Sequence, residues 1–175
     1  LYASTRLPEL LKKIIKKSPN IVWLRLLYLY PSRISDELLD LIQNEPKVCK
    51  YIDLPLQHIN DRILNLMHRQ TTKQDILRLI DKIRKKIPRI AIRTSIIVGF
   101  PSETEKDFKE LLDFILDVRF ERLGAFTYSQ EEGTQAYNFK NQIPDKIKEE
   151  RFNTLMMQQQ RISQGVNKEF LGEII

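Results

Sequence analysis

The sequence predicts an α/β fold with a parallel sheet, and two observations lead to this fold class. Segments rich in apolar and β-branched residues alternate with segments whose apolar residues recur at helical spacing. Each predicted strand is followed by a predicted helix, which is typical of parallel strands joined by right-handed crossovers. The 175 residues, of which 42% are hydrophobic and 30% charged, are enough for one domain with a substantial core.

The first half of the chain is predicted to begin with a helix and a strand. Ser4 and Thr5 can cap a helix that runs to about Lys17. The nearly continuous apolar run 21–30, which Pro31 ends, predicts a strand buried on both faces. The next predicted elements are a short helix capped by Ser35, a strand over 49–55, a helical turn or two from Asn60 to about His68, and a longer helix from Thr71–Thr72 to Lys86.

The second half is predicted to contain two more strands and two helices. The β-branched segment 90–98 predicts the clearest strand. Ser102 and Glu105 have the spacing of a capping box, which predicts Ser102 as the cap of the next helix. Residues 122–128 predict the fourth strand, and a final helix of roughly 20–25 residues follows Pro144.

The number of predicted strands bears on the completeness of the fold. Four strands are too few to close an eight-stranded barrel, and an open four-stranded sheet would leave two edges uncovered. Because segment 21–30 is too apolar for an edge strand, we expect further strands before Leu1. The missing initial Met and the abrupt end at Ile175 also favour a segment of a larger protein.

Charge and cysteine content exclude several classes of protein. The single cysteine, Cys49, excludes an intramolecular disulfide and a multi-cysteine metal site, and we expect it to be a packing residue. No apolar run is long enough to span a membrane, and we expect a cytoplasmic protein. The net charge of +6 is concentrated on helices 12–17 and 82–86, which are either solvated faces or contacts for RNA or the ribosome.

Polar residues occur within or at the ends of the predicted strands, where helix-covered strands should be apolar. Arg25, Asp53, Gln57 and Arg93 are these residues, and an unpaired buried charge costs several kcal/mol. They either line a polar lumen that binds a zwitterionic or sugar-bearing ligand, or form an Arg25–Asp53–Arg93 ion network. Gln57 and His58 favour the ligand, because they end a strand, where α/β folds bind ligands.

The turn after the third strand is a second candidate site. Gly99, Phe100 and Pro101 end the strand just before a helix, and the helix start should offer free N–H groups to an adenine edge or a carboxylate. The alternative is an ordinary capped strand-to-helix turn. Neither a phosphate-binding loop nor a dinucleotide-binding motif is present.

Several motifs resemble the radical S-adenosylmethionine methylthiotransferases. The stretch Gly-Phe-Pro-Ser-Glu-Thr at 99–104, followed by Asp107 and Phe108, is specific to that family group, although Ser102 replaces its usual Gly. The residues at 53–58, 93–94 and 131–134 are similar to those of the RimO-like branch, which acts on a ribosomal protein. The MiaB-like branch, which acts on transfer RNA, usually reads Leu-Pro-x-Gln-Ser-Gly and Arg-x-Gly-Thr at the matching places. The segments that carry the resemblance are 51–58, 67–69, 92–104 and 126–134.

The resemblance implies a fold and an activity. The fold is a three-quarter (β/α) barrel of TIM type with six parallel strands. Residues 1–175 would be its C-terminal portion with the last four strands, lacking the N-terminal strands and the C-terminal β-domain. The activity is methylthiolation of the β-carbon of an aspartate in small-subunit ribosomal protein twelve. The alternatives are a transfer-RNA methylthiotransferase and a non-catalytic module that binds RNA or the ribosome.

The resemblance also implies cofactors, a partner and site residues. The cofactors are S-adenosylmethionine and two [4Fe–4S] clusters, one held by a C-x-x-x-C-x-x-C loop, and the reductant is a protein such as flavodoxin or ferredoxin. Arg25 or Arg93 would hold the methionyl carboxylate or the target aspartate. We identify no catalytic residue or metal ligand in this chain, and we expect it to be inactive without cluster cysteines from elsewhere. The cofactor-binding candidates are Arg25, Gln57, His58, Arg93, Gly99, Phe100 and Pro101.

Overall fold

Four parallel strands form one sheet in the order β1–β2–β3–β4 in the computed structural model, which describes residues 7–172. This arrangement confirms the predicted α/β class and the parallel sheet. The strands are β1 (Leu24–Leu26), β2 (Val48–Gln57), β3 (Ala91–Val98) and β4 (Arg122–Thr127).

Six α-helices accompany the sheet in the described part of the chain, and their caps follow the sequence signals in three cases. Ser35, Asn60 and Thr72 each accept hydrogen bonds from backbone N–H groups of the first turn that follows, as predicted. The final helix has 24 residues, which agrees with its predicted length. The helices are α1 (Leu7–Lys17), α2 (Asp36–Asn44), α3 (Asp61–Leu66), α4 (Lys73–Lys86), α5 (Glu105–Val118) and α6 (Asp145–Lys168).

Two predicted caps have other outcomes. Ser4 and Thr5 lie outside the described residues. The prediction of Ser102 as the cap of α5 was wrong, because Thr104 is the cap and forms a reciprocal capping box with Asp107. Ser102 instead has a positive φ of 70° and donates its N–H to the carbonyl of Asn141 at 2.8 Å.

The prediction of a long, doubly buried first strand was wrong. Only Leu24–Leu26 pairs with β2, and the pairing shifts from Leu24–Val48 to Leu26–Ile52, so that the ladder is interrupted at once. Within the described residues β1 lies at an edge of the sheet. Its apolar neighbours are exposed, with Trp23 at 71%.

Helices cover one face of the sheet, and this asymmetry explains the polar strand residues. On β2 and β3, even-numbered residues such as Ile52, Leu54 and Ile92 are fully buried in the core that the helices complete. Odd-numbered residues such as Arg93 and Ser95 lie on the opposite face, where they line a cavity. The expectation of strands that are apolar throughout therefore does not apply to this sheet.

No helix among residues 7–172 is both long enough and apolar enough to cross a membrane.

Candidate functional site

A cavity of about 820 Å³ lies on the face of the sheet opposite the main core and reaches the carboxyl ends of β2, β3 and β4. Aromatic and aliphatic side chains form most of its wall, and a few polar groups interrupt them. This mixture is typical of a site for a small organic ligand, and the carboxyl edge is where parallel α/β sheets bind ligands. The polar groups on the strands that line it are Gln57, Arg93, Ser95 and Thr127.

An ion pair between adjacent strands adjoins the cavity. The Arg93 Nη1 atom donates a hydrogen bond to Asp53 Oδ2 at 3.0 Å, and the Tyr28 N–H donates to the same oxygen at 3.3 Å. The Asp53 side chain is fully buried, whereas the Arg93 side chain is 35% exposed and lines the cavity. Oδ1 of Asp53 has no hydrogen-bond partner. The guanidinium therefore both neutralises a buried carboxylate and presents positive charge to the cavity.

The structure separates Gln57 from His58 at the end of β2. Gln57 has a positive φ of 74° and lines the cavity, and the turn it makes directs His58 into the core, where it is fully buried. The Asn60 N–H donates to His58 Nδ1 at 3.0 Å, so the ring proton of neutral His58 lies on Nε2. Burial lowers the pKa of His58 to about 4, because the charged ring would lose its hydration.

Glu103 lies under the turn that follows β3. Its Oε2 atom accepts the N–H of Gly99 at 2.7 Å and that of Phe100 at 3.3 Å, while Arg151 Nη1 donates to Oε1 at 3.0 Å. Burial raises the pKa of Glu103 to about 7, although Arg151 and the two N–H groups oppose this shift. Glu103 thus accepts the N–H groups of both Gly99 and Phe100, so these two donors are engaged within the turn.

Phe100 forms part of the aromatic wall of the cavity. Its ring lies edge-on to Tyr128, with centroids 5.2 Å apart, and to Phe139, with centroids 6.1 Å apart. Gln57, Arg93 and Phe100 are thus the candidate residues that line this cavity. Of the other candidates, His58, Gly99 and Pro101 do not line the cavity, and Arg25 lies elsewhere.

Arg25 lies at the opposite end of the sheet from the cavity. Its guanidinium stacks over the Tyr51 ring, 4.8 Å from the centroid, and no ion pair joins it to Asp53 among the described residues. It lines a second cavity with Ala91 and Arg122, the residues that begin β3 and β4. The predicted Arg25–Asp53–Arg93 network is therefore reduced to the Asp53–Arg93 pair.

Two charged residues of α6 were not singled out from the sequence. Lys148 packs its alkyl chain against Gly99 and places its Nζ atom 5.6 Å from the Tyr128 ring centroid. Arg151 is buried against Glu103 and also pairs with Glu105. A signal was present, because the buried face of α6 recurs at helical spacing and these charges occupy two of its positions. The buried residues of α6 are Lys148, Arg151, Leu155, Gln159, Ile162 and Val166.

Comparison with protein families and curated proteins gives one family match and close sequence relatives. The model of the Radical SAM superfamily matches residues 3–115. Ribosomal protein uS12 methylthiotransferase RimO of Clostridium acetobutylicum is 49% identical over 174 residues, which is 99% of this chain and 39% of that protein. RimO of Desulforamulus reducens is 50% identical over the whole chain and 39% of its own length. The chain thus spans about two fifths of the relatives that it matches.

Solved structures support the fold alone. Coproporphyrinogen III oxidase HemN from Escherichia coli, a radical SAM enzyme, matches with a TM-score of 0.68 at 16% identity and covers 86% of this chain and 36% of its own. The radical S-adenosylmethionine methyltransferase TsrM from Kitasatospora setae matches with a TM-score of 0.55 at 21% identity, over 69% of this chain and 24% of its own. These similarities fit the predicted partial barrel of TIM type.

Proposed function

The chain belongs to the radical SAM superfamily, and from this membership we propose that it forms the ligand-holding part of an enzyme that methylthiolates ribosomal protein uS12. The relatives that carry this activity in their names are about half identical to the chain over nearly all of its length. The observation that carries the proposal is the Arg93-bearing cavity at the carboxyl edge of the sheet.

The cavity suits S-adenosylmethionine, which membership of the superfamily implies. Its volume of about 820 Å³ is in the range of pockets that enclose ligands of this size. Phe100 and Ile97 offer apolar surface to an adenine ring, and Gln57 can both donate to and accept from ribose hydroxyls. Arg93 can hold a carboxylate through two parallel N–H bonds. When bound, the cofactor supplies hydrogen-atom removal from an unactivated carbon.

The cavity also explains how a target aspartate would be held. The protein side chain to be modified carries a carboxylate, and Arg93 is the cationic residue on the strands that line the cavity. Because Asp53 already pairs with Arg93, the carboxylates of cofactor and substrate need a further cation beside the cavity. We propose that the second carboxylate, from cofactor or substrate, is met by Arg69, which lines the cavity beside Tyr30.

The residues of this chain do not fit an iron–sulfur cluster. The sequence has a single cysteine, and among residues 7–172 no group of three or more His, Cys, Asp or Glu side chains could hold a metal. A cluster that reduces the cofactor needs three cysteines in this superfamily, so its ligands would come from outside these residues. The number of clusters, the flavodoxin or ferredoxin reductant, contact with the ribosome and the cytoplasmic location stay predictions.

The function is tested on the complete encoded protein, purified without oxygen and reconstituted with iron and sulfide. It is incubated with S-adenosylmethionine, a chemical reductant and recombinant uS12, and the uS12 aspartate peptide is examined by mass spectrometry. A methylthio group on the β-carbon of an aspartate is the expected product. Modification of transfer RNA instead of uS12 under the same conditions would identify the MiaB-like activity and overturn the proposal.

A further inference from the structure

A second cavity, of about 1430 Å³, lies at the amino ends of the strands, opposite the site described above. Arg25 of β1, Tyr51 of β2, Ala91 at the start of β3 and Arg122 at the start of β4 form its floor, and the end of α6 forms one side. Nothing in the proposed reaction uses this end of the sheet.

The charges around this cavity are unbalanced. Two carboxylates line it among residues 7–172, and each is already paired: Glu121 with Arg84 at 2.9 Å and Glu169 with Arg119 at 3.2 Å. Three further cations line the cavity without a carboxylate partner among the described residues. They are Arg25, Lys50 and Arg122.

The surroundings of these three cations hold them in place without neutralising them. Arg25 stacks on the Tyr51 ring, which leaves the N–H edge of its guanidinium available to an anion. Arg122 donates to the carbonyl of Glu121 at 2.7 Å and to Asn167 Oδ1 at 3.3 Å. Lys50 donates to the backbone carbonyl of Ile42, in the last turn of α2, and to that of Glu45, which follows the helix. No carboxylate among residues 7–172 therefore offsets the charge of these three side chains at the cavity.

We propose that this cavity binds the phosphodiester backbone of an RNA strand. Arginine forks match phosphate oxygens, and the Arg25 guanidinium layered on the Tyr51 ring offers a flat surface on which a base can stack. An acidic peptide would gain the charge contacts but would make no use of this flat surface. The volume exceeds what one small metabolite needs and suits a short stretch of polymer. An RNA contact at this end would leave the opposite cavity free for a protein side chain.

The test measures binding of a fluorescein-labelled single-stranded RNA to the complete encoded protein by anisotropy across a salt series. The double variant R25Q/R122Q removes two of the unpaired cations. Each phosphate contact contributes about 0.7 to the slope of log K against log salt concentration for single strands. This variant should therefore lower the magnitude of that slope by about 1.4. It should lower the affinity by roughly 25-fold at about 0.1 M salt. The matched control is R78Q/R161Q, which removes the same charge from exposed helix positions of α4 and α6.

The outcomes separate a specific site from general attraction. Loss in R25Q/R122Q with wild-type binding in R78Q/R161Q supports the proposal, provided that both variants keep the wild-type circular dichroism spectrum and unfolding midpoint. Equal loss in the two variants, or no RNA binding by the wild type, overturns it. Equal competition by polyglutamate at the same charge concentration also overturns it, because the site would then recognise acidic protein rather than RNA. A misfolded R25Q/R122Q is replaced by R25K/R122K, which keeps the charge but not the fork and should lose part of the affinity.

Discussion

Arg93 and Asp53 are joined across adjacent strands by a hydrogen bond of 3.0 Å, with the carboxylate fully buried and the guanidinium partly open to the cavity. The register of β2 and β3 places the two residues directly opposite each other. The pair therefore links the stability of the sheet to the candidate site, because the same guanidinium that neutralises Asp53 lines the cavity.

The first prediction concerns the replacement of Arg93 by methionine. The variant R93M leaves the buried Asp53 carboxylate without its partner, so the free energy of unfolding should fall by about 3 kcal/mol. This is the lower end of the range for a broken buried pair, because Arg93 is partly solvated. Urea denaturation at neutral pH measures this change. Adding D53N removes the stranded charge and should restore part of the loss. A double variant no more stable than R93M would contradict this account of the pair.

The second prediction concerns the pH dependence of stability set by two neighbouring buried groups. His58 Nε2 lies 3.9 Å from Glu103 Oε2. The pKa of His58 is about 4, below its usual 6.5, so His58 lowers stability as the pH falls from about 6.5 to 4. The pKa of Glu103 is about 7, above its usual 4.5, so Glu103 lowers stability as the pH rises from about 4.5 to 7. The two effects oppose each other between pH 4.5 and 6.5.

Single variants should separate these opposing effects. E103Q keeps a side-chain oxygen for the turn and removes the carboxylate, so its stability should fall as the pH is lowered from 6.5, by up to about 1 kcal/mol per pH unit. H58Q should show the reverse slope over the same range, while the wild type is nearly flat. The measurement is the free energy of unfolding from urea titrations at half-unit pH intervals. Identical profiles for both variants would contradict the assigned shifts.

The third prediction concerns the cavity assigned to S-adenosylmethionine. Ser95 lies between Arg93 and Ile97 on the face that lines this cavity. The variant S95L fills space there, and overpacking costs about 1–3 kcal/mol, so affinity for the cofactor should fall by roughly tenfold or more. Calorimetry on the reconstituted complete protein measures it. C49L, which places the same side chain in the other cavity, is the control and should bind as the wild type does.

The parts of the structure that sequence reasoning predicted are those governed by local rules. The order of elements, three of the helix caps and the position of Gln57 at a strand end depend on nearby residues and on the properties of parallel sheets. Gln57, Arg93 and Phe100 reach the cavity for this reason.

The parts that were missed depend on contacts between distant segments or on a single backbone angle. His58 is buried because Gln57 adopts a positive φ, which nothing in the residue types required. Arg25 lies at the amino end of the sheet because Leu24 pairs with Val48, the first residue of β2, and a strand spanning 21–30 did not predict that register. Lys148 and Arg151 reach the turn after β3 from α6, more than 40 residues along the chain.

The last prediction concerns Gly99, whose backbone and surroundings both require glycine. Its φ is +71°, and a Cβ at this position would overlap the alkyl chain of Lys148, which is itself buried. Gly133 has a similar φ of +79° but nothing within 4 Å of the same position. Substitution by alanine should therefore cost about 1–2 kcal/mol of backbone strain at Gly133 and roughly 3–4 kcal/mol at Gly99, where the overlap adds to that strain.

Thermal and urea unfolding of G99A and G133A measure the difference, and the double variant G99A/K148A shows its source. Truncation of Lys148 removes the overlapping atoms but not the strain, so G99A should cost less in the K148A background than in the wild type. Equal costs of G99A in the two backgrounds would show that Lys148 does not limit this turn. Equal costs of G99A and G133A in the wild type would show that the backbone angle alone demands glycine. The expected difference would instead establish that α6 presses against the turn that positions Phe100 in the cavity wall.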